Sequence, residues 1–471
     1  MGLTIASNVS ALNAQNNLNR STDMLNKSIE RLSTGFKINR GADGPAALVI
    51  SEKQRAQITG LQTAIENSEK ASSVIQTAEG ALSEISSILI KMRSLALESS
   101  NTGASDANAL AANQAEISNA LDTIDRISRD TQFGTKNLLD GSAGVSGSAS
   151  DADVTFIKGT NNTSTGSYAV NVTTVAQRAA VTAGATTTTT AADEVLTING
   201  VNITINAGST KAAVVTRINE FTDQTGVFAE EVPGIRLRTT AFGGDAEITV
   251  VSDTASATTS SGFGTTLTTT SGVNIAGTIN SLAATGQGNV LTSTEGASKG
   301  TMVRIGEDTT SVTTMTQTVT GAQGNANVQN DGLQFQIGPN RNQATNIAIN
   351  NASSDSLGTA QSGNVFNSLA EISVTSYNNA QDALEVIDAA INEISTSRGS
   401  LGAFQSNTLE SLTSSMRSTL ENTVAAESIV RETDFAEEIA RFTSNQILVQ
   451  TGTRVLSSAT QTTQSILALL G

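Results

Sequence analysis

The sequence predicts an α+β protein in which both chain ends build a long α-helical coiled-coil or bundle, with an inserted β-rich outer region between them. Hydrophobic residues recur at helical spacing over residues 1–130 and 365–471, where proline is almost absent. The middle is rich in Thr, Gly and Asn, and its apolar residues alternate with polar ones as they do in strands. Apolar stripes at both ends must be covered by each other or by further copies of the chain, which favours an assembly protein.

The first long helix is predicted from the heptad repeat within residues 58–97. Ile75, Leu82 and Leu89 are spaced by seven, so their side chains fall on one face of a helix. A helix of that length would extend roughly 60 Å. Ile387 and Ile394 repeat the same spacing near the other end of the chain. We predict that these five residues form the seam of a helical bundle.

A second helix is predicted after a break at Asn101-Thr102-Gly103. Its apolar residues run from Leu110 to Ile127, and the short connection favours an antiparallel neighbour. A third helix, with a stripe from Tyr377 to Leu401, closes the bundle. Pro45 is predicted to mark the first turn of a helix, because proline lacks the N–H that a helix start leaves unpaired.

The two extreme ends form shorter amphipathic segments that are rich in Asn, Gln, Ser and Thr. Such segments are marginal alone, so we expect them to become helical only when copies assemble. An apolar tail follows at residues 466–470. The residues predicted to pack in the assembled core are Leu18, Leu25, Ile29, Leu32, Phe435, Phe442 and Val449.

The middle is predicted to hold strands at residues 195–198, 201–205, 247–251 and 333–337. Asn199-Gly200 between the first two is a strong hairpin signal. Residues 186–190 and 254–272 read as solvated loops, with glycan attachment to their hydroxyls as the alternative.

Composition excludes several classes of site. The 471 residues include no Cys and no His, which rules out Cys/His zinc sites, cysteine nucleophiles and Ser-His-Asp triads. The adjacent acids Glu230-Glu231 and Glu437-Glu438 are expected to point apart as solvated charges. Asp151 lies in a loop that lacks the full calcium-ligand pattern. We therefore expect no enzyme activity, no catalytic residues, no cofactor and no metal.

Charge and hydropathy limit the partners. A formal net charge of −16 argues against nucleic acid. No apolar run reaches the roughly 18 residues of a membrane span, so we expect no membrane insertion. Residues 1–7 lack the basic and apolar regions of a cleaved secretory signal, so if the protein is extracellular we expect export by a route that keeps them.

Motifs at both ends resemble bacterial flagellin, the subunit of the flagellar filament. At the N-terminal end they are IASNVSAL (5–12), IERLSTG (29–35), TAEGAL (77–82) and DTQF (130–133). At the C-terminal end they are SRGSLGA (397–403) and AESIVRETDFA (426–436). Residues 196–250 resemble the small insertion module of flagellins and hook-associated proteins. These motifs are ordered and specific, and the resemblance covers about half of the chain.

The resemblance implies a structural subunit that is exported unfolded through the flagellar type III apparatus and polymerises into an extracellular filament, giving swimming motility. The implied partners are further copies of the chain, the export chaperone at the C-terminal segment, and the filament cap and hook-associated junction proteins. The predicted domains are a filament-core helix (1–44), the N-terminal part of the bundle (45–153), the β-rich outer insertion (154–360), the C-terminal part of the bundle (361–428) and a second filament-core helix (429–471).

The resemblance also implies contact with a Toll-like innate receptor of a host. The positions that carry over are Lys91, Arg93, Leu95 and Glu116. Lys91 stands where the family has Arg, and lysine lacks the bidentate fork of arginine. We expect bundle and subunit contacts to be the primary role of these residues and receptor binding a secondary one.

The sequence leaves two alternatives open. The hook–filament junction protein shares the terminal helices, although the stretch Arg431-Glu432-Thr433-Asp434-Phe435 favours flagellin. A surface adhesin or hydrolase would use the middle region as its active part, and the lack of His, Cys and a buried acid–base motif argues against the hydrolase.

Overall fold

The computed structural model describes residues 9–101, 103, 106–308 and 317–470, with side chains as far as residue 461. Some predictions lie outside these residues. They are the character of residues 1–7, the first part of the IASNVSAL motif and Thr102 in the predicted helix break. The apolar tail at 466–470 belongs to the last helix, but its side chains lie outside the described ones.

The helices of the described chain account for both ends of the sequence, and the predicted fold class is confirmed. They are α1 (Val9–Thr34), α2 (Pro45–Ser99), α3 (Ala107–Asp130), α4 (Lys211–Asn219), α5 (Thr222–Thr225), α6 (Tyr377–Ala403), α7 (Ser411–Arg431) and α8 (Phe435–Leu470). A π-helical segment, Phe404–Glu410, joins α6 to α7, and short 3-10 turns cover Gly41–Asp43 and Leu369–Glu371. Helix α2 begins at Pro45, as predicted.

The strands lie between α3 and α6. They are β1 (Gln132–Phe133), β2 (Lys136–Asn137), β3 (Val145–Ala149), β4 (Val154–Lys158), β5 (Gly166–Thr174), β6 (Ala180–Thr182), β7 (Glu194–Ile198), β8 (Val201–Ile205), β9 (Val227–Glu231), β10 (Ile235–Thr239), β11 (Glu247–Ser252), β12 (Thr268–Ser271), β13 (Ala276–Ile279), β14 (Leu282–Gln287), β15 (Val290–Ser293), β16 (Met302–Ile305), β17 (Gly321–Asn330), β18 (Leu333–Gln336) and β19 (Ala344–Ile347).

The chain forms two compact units, and the first consists of residues 1–68, 336–343 and 410–471. In this unit α1 packs along α8. Leu61, Ala64 and Met416 form a small core between α2 and α7. A Cβ at Gly60 would lie 2.9 Å from Pro339, so the absent side chain lets the 336–343 segment lie against α2.

The second unit consists of residues 69–335 and 344–409. It includes the rest of α2 together with α3 and α6. Ile75, Leu82, Leu89, Ile387 and Ile394, the residues predicted for the bundle seam, are all at most 2% exposed. Burial of such a row against neighbouring helices is what makes a marginal amphipathic helix stable.

The strands of the second unit include an eight-stranded antiparallel sheet in the order β3-β17-β5-β13-β14-β15-β16-β4. Its apolar face is closed by a core that includes Tyr168, Val170, Leu291 and Val303. The edge strands β3 and β4 lie against each other, because the ring of Phe156 fills the space beside Gly147. A covered edge presents fewer free backbone groups to other chains.

Residues 180–271 form an insertion module with its own core. A three-stranded sheet, β6-β10-β9, and a four-stranded sheet, β12-β11-β7-β8, surround this core together with α4 and α5. The predicted hairpin is present between β7 and β8. Asn199 and Gly200 both have positive φ, +48° and +81°, which is the requirement of a tight hairpin turn.

The structure corrects several predictions. Helix α2 extends 13 residues before residue 58, where the heptad signal starts, and these first turns bury only Ser51. Tyr377 is predicted to lie on the apolar stripe of the third bundle helix. In the structure it is the first residue of α6 and its side chain is not buried in the bundle, because the residue is 51% exposed. The stretch 254–272 is not all loop, because β12 pairs with β11 as an edge strand. Thr187 and Thr190 are buried, and the Thr190 hydroxyl donates to the Asn206 carbonyl at 2.8 Å.

Candidate interaction surfaces

The seam between α1 and α8 holds most of the residues predicted for the assembled core. Leu18, Leu25, Leu32, Phe442 and Val449 are half-buried. A Cβ at Gly452 of α8 would lie 3.2 Å from the Leu18 methyl group, so the two helices approach closely at that level. The pair therefore covers one apolar face of each helix within a single copy.

Polar contacts fix the register of this pair. Arg31 of α1 lies 3.5 Å from the carboxylate of Glu438 on α8, whose side chain is only 6% exposed. The Asn445 amide donates to the Ser28 hydroxyl at 3.4 Å. Glu438 was expected to be solvated and is instead buried and paired. No sequence pattern predicts this pairing, because Arg31 and Glu438 are more than 400 residues apart.

Other large apolar residues of the same two helices stay open to solvent, and together we call them the apolar row. Ile29 is 47% exposed and Phe435 is 53% exposed, although both were predicted to pack in the assembled core. Further large apolar residues of α1 and α8 are at least half exposed. They are Val9, Leu12, Met24, Ile439, Ile447, Leu448 and Val455. A single copy leaves this row uncovered, and exposed apolar surface of this extent marks an interaction site.

The positions carried over for receptor contact lie on α2 and α3. Lys91 pairs with Glu116 across the two helices at 2.5 Å. Arg93 instead faces α6, where its guanidinium donates to both carboxylate oxygens of Asp388 at 2.6 and 3.2 Å. Leu95 is half-buried. All four positions therefore already make contacts within the second unit or lie partly covered.

Among the described residues, no group of three or more Asp or Glu side chains could hold a metal ion. Glu230 was expected to be a solvated charge, and it lies instead in a cluster with Arg236 at 2.5 Å and Arg238 at 3.6 Å. Glu437 is exposed and pairs with Arg441 one helical turn away. These carboxylates neutralise neighbouring arginines, which is a structural role.

The second unit has a groove of about 950 Å³ lined by α6, β4 and the loops at 140–142 and 348–352. Its charged pair is Lys158 and Glu393, 2.7 Å apart. Burial raises the pKa of Glu393, and Lys158 opposes the shift. On the same helix, burial raises the pKa of Asp382 to about 6, and the charge of Glu385 adds to the effect.

The described helices include none that combines the length and the apolar character of a membrane span.

Comparison with known proteins gives consistent matches at both ends. The model of the bacterial flagellin N-terminal helical region matches residues 5–144, and that of the bacterial flagellin C-terminal helical region matches residues 384–470. A flagellin of Clostridium tyrobutyricum is 31% identical over 465 residues, which cover 98% of this chain and all of the relative. A B-type flagellin of Pseudomonas aeruginosa is 32% identical over 512 residues, with both chains covered completely. A solved structure of FliC from Burkholderia pseudomallei is 16% identical and covers 71% of this chain and 98% of its own, with a TM-score of 0.26, too low to carry an argument.

Proposed function

This chain belongs to the bacterial flagellin family, and from that premise we propose how its surfaces serve the filament. As a flagellin it is a structural protein and not an enzyme. It polymerises into the extracellular filament of the bacterial flagellum, on which swimming motility depends.

We propose that α1 and α8 form the inner wall of the filament and that the β-rich region faces outward. The observation that supports this is the uncovered apolar row on the α1–α8 pair, which includes Ile29 and Phe435. Covering that row with other copies stabilises the polymer by roughly 25 cal/mol per Å² of apolar area. Contacts between unlike faces of successive copies do not close, and they generate a filament.

Seeded growth tests this proposal. Purified chain is mixed with sheared filament fragments and inspected by electron microscopy, beside a version restricted to residues 35–434. The full chain should extend the seeds into long tubes, and the shortened chain should not. Equal growth of the full and the shortened chain would show that polymerisation does not need the terminal helices.

The proposed domains keep the boundaries expected from the sequence. The filament-core helices are residues 1–44 and 429–471, the bundle segments are residues 45–153 and 361–428, and the outer insertion is residues 154–360. Limited proteolysis of intact filaments checks these limits. Cleavage should begin within the outer insertion and spare the core helices.

We propose that the chain leaves the cell unfolded through the flagellar type III apparatus, held beforehand by the export chaperone at its C-terminal segment. The exposed apolar row of α8 supports this, because an amphipathic helix docked in a groove is a common mode of recognition. A chain that ends at Thr433 should lose the chaperone in a pull-down. Undiminished binding would place the chaperone site elsewhere.

The filament cap and the hook-associated junction proteins are proposed to meet the same terminal helices at the two ends of the filament. Each end of a polymer leaves the apolar row of its last copies uncovered, which is the surface that a related helix pair would fit. This contact can be tested by mixing filaments with cap or junction protein and measuring seed growth. Growth should be lost at the end to which the added protein binds.

Receptor contact is proposed as a secondary role of Lys91, Arg93, Leu95 and Glu116. The support is the exposed Lys91–Glu116 pair, with side chains 65% and 46% exposed. A reporter-cell assay on monomeric protein compares Lys91→Ala and Leu95→Ala with Lys136→Ala, an exposed lysine outside the patch. Activation should fall for the first two variants and persist for the third, and unchanged activation in all three would eliminate the receptor role.

A further inference from the structure

A short backbone pairing joins the two chain segments at the base of the α1–α8 pair. Phe36 and Glu432 face each other in an isolated antiparallel bridge. Two backbone hydrogen bonds of 2.7 and 2.9 Å flank it. Their donors and acceptors are Lys37 N to Arg431 O and Thr433 N to Gly35 O. We call residues 35–38 and 431–433 the linker clasp.

The side chain of Arg431 closes the clasp from one side. Its guanidinium lies over the Phe36 ring, 4.6 Å from the centroid. It also lies 3.4 Å from the carboxylate of Glu52 on α2 and 3.9 Å from that of Glu427 on α7. Only 17% of the Arg431 side chain is exposed. A planar guanidinium can stack on a ring and meet two carboxylates at once, which an ammonium does less well.

Neighbouring contacts hold the partners of Arg431 in place. The hydroxyl of Ser51, a fully buried residue of α2, donates to Glu427 at 3.1 Å. Gly35 has φ +76°, a conformation that allows α1 to end and turn into the clasp. The ring of Phe435, the first residue of α8, passes 3.9 Å from where a Cβ at Gly35 would lie.

We propose that Arg431 is a positioning residue for polymerisation, because the linker clasp fixes the direction in which the α1–α8 pair leaves α2 and α7. With the clasp closed, the pair presents its apolar row in the orientation that neighbouring copies require. With the clasp open, two single-chain linkers pivot freely and each incoming copy must order them again. The proposal deepens the filament function and rests on it.

Arg431→Ala and Arg431→Lys test the proposal against Arg217→Ala. Arg217 is an exposed arginine of the insertion module that pairs with Glu220 at 2.6 Å, so its loss removes the same charge from the other unit. The monomer concentration left at the end of seeded growth should rise about tenfold for Arg431→Ala, less for Arg431→Lys, and not for Arg217→Ala. The far-ultraviolet circular dichroism of the soluble variants should match that of the native chain.

A disulfide distinguishes positioning from a merely structural role. The chain has no cysteine, so Phe36→Cys with Glu432→Cys creates a single pair. Opposed residues of an antiparallel bridge have Cα atoms about 4.5–5.5 Å apart, within the range that a disulfide spans. In the Arg431→Ala background the oxidised protein should polymerise as readily as the native chain, and the reduced protein should not.

Each result of these experiments supports or overturns the linker clasp or the filament proposal. Rescue by oxidation supports the clasp even if Arg431→Ala alone unfolds the linkers. Native growth of Arg431→Ala, or failure of the oxidised form to recover, overturns it. If the native chain itself does not extend seeds, the filament proposal fails instead, so the two failures are distinguishable.

Discussion

Replacing two exposed isoleucines of α8 should leave the single copy intact and weaken the polymer. Ile439 and Ile447 are 52% and 57% exposed, so about half of each side chain is still open to solvent in one copy. Full burial of an isoleucine stabilises by about 1.5–3 kcal/mol, and the remaining half therefore accounts for about 0.8–1.5 kcal/mol per residue. The variant with Ile439→Gln and Ile447→Gln is expected to lose about 1.5–3 kcal/mol per copy on assembly.

This loss has a direct readout, because each 1.4 kcal/mol changes an equilibrium constant about tenfold. The monomer concentration that remains after seeded growth should rise roughly 10- to 150-fold. Sedimentation of the filaments and quantification of the supernatant measure it. The matched control is Leu267→Gln, an apolar residue of the insertion module that is 62% exposed and lies far from α8 in the sequence.

The thermal unfolding of the soluble variant should match that of the native chain within about 0.5 kcal/mol, as is usual for surface substitutions. A residual monomer concentration within twofold of the native value would refute the reasoning, because the exposed row would then not be an assembly surface. An equal rise for Leu267→Gln would show that solubility and not a specific contact was being measured.

Three further predictions concern a buried side chain, a raised pKa and the helix content of the monomer. Ile387→Ala should lower the unfolding free energy of the second unit by about 2–5 kcal/mol, because Ile387 is fully buried. The control Ile90→Ala changes a side chain that is 59% exposed and should alter the unfolding free energy by less than about 0.5 kcal/mol. Equal effects of the two substitutions in a denaturant titration would contradict the bundle seam. Burial raises the pKa of Asp382 to about 6 from 3.8, so its contribution to stability is present below pH 3.8 and is lost as the pH rises through 6. Asp382→Asn should therefore stabilise the second unit by about 1–3 kcal/mol at pH 8 and not at pH 3.5, and a gain independent of pH in thermal melts would contradict the assignment. Dilute monomer should show less helix by circular dichroism than polymer, with a difference of up to the 26 residues of α1 and the 36 of α8, and equal helicity in the two states would count against assembly-coupled folding.

The sequence alone was sufficient to predict the fold class, the family, the bundle helices and the hairpin strands of the insertion module. Heptad spacing is a local property, so Ile75, Leu82 and Leu89 could be placed on one helix face without any knowledge of their partners. The hairpin at Asn199-Gly200 is local for the same reason, because two residues with positive φ decide the turn.

Only the tertiary structure decided which charges meet. Arg31 pairs with Glu438, Arg93 with Asp388 and Arg431 with Glu52, and each pair is separated by hundreds of residues along the chain. No periodicity or motif encodes such a distance, because the intervening region can adopt many lengths without changing the helices that flank it. The same holds for the division of α1 and α8 into a covered seam and an open row, since residues such as Leu25 and Ile29 are equally apolar in sequence and differ only in what lies against them.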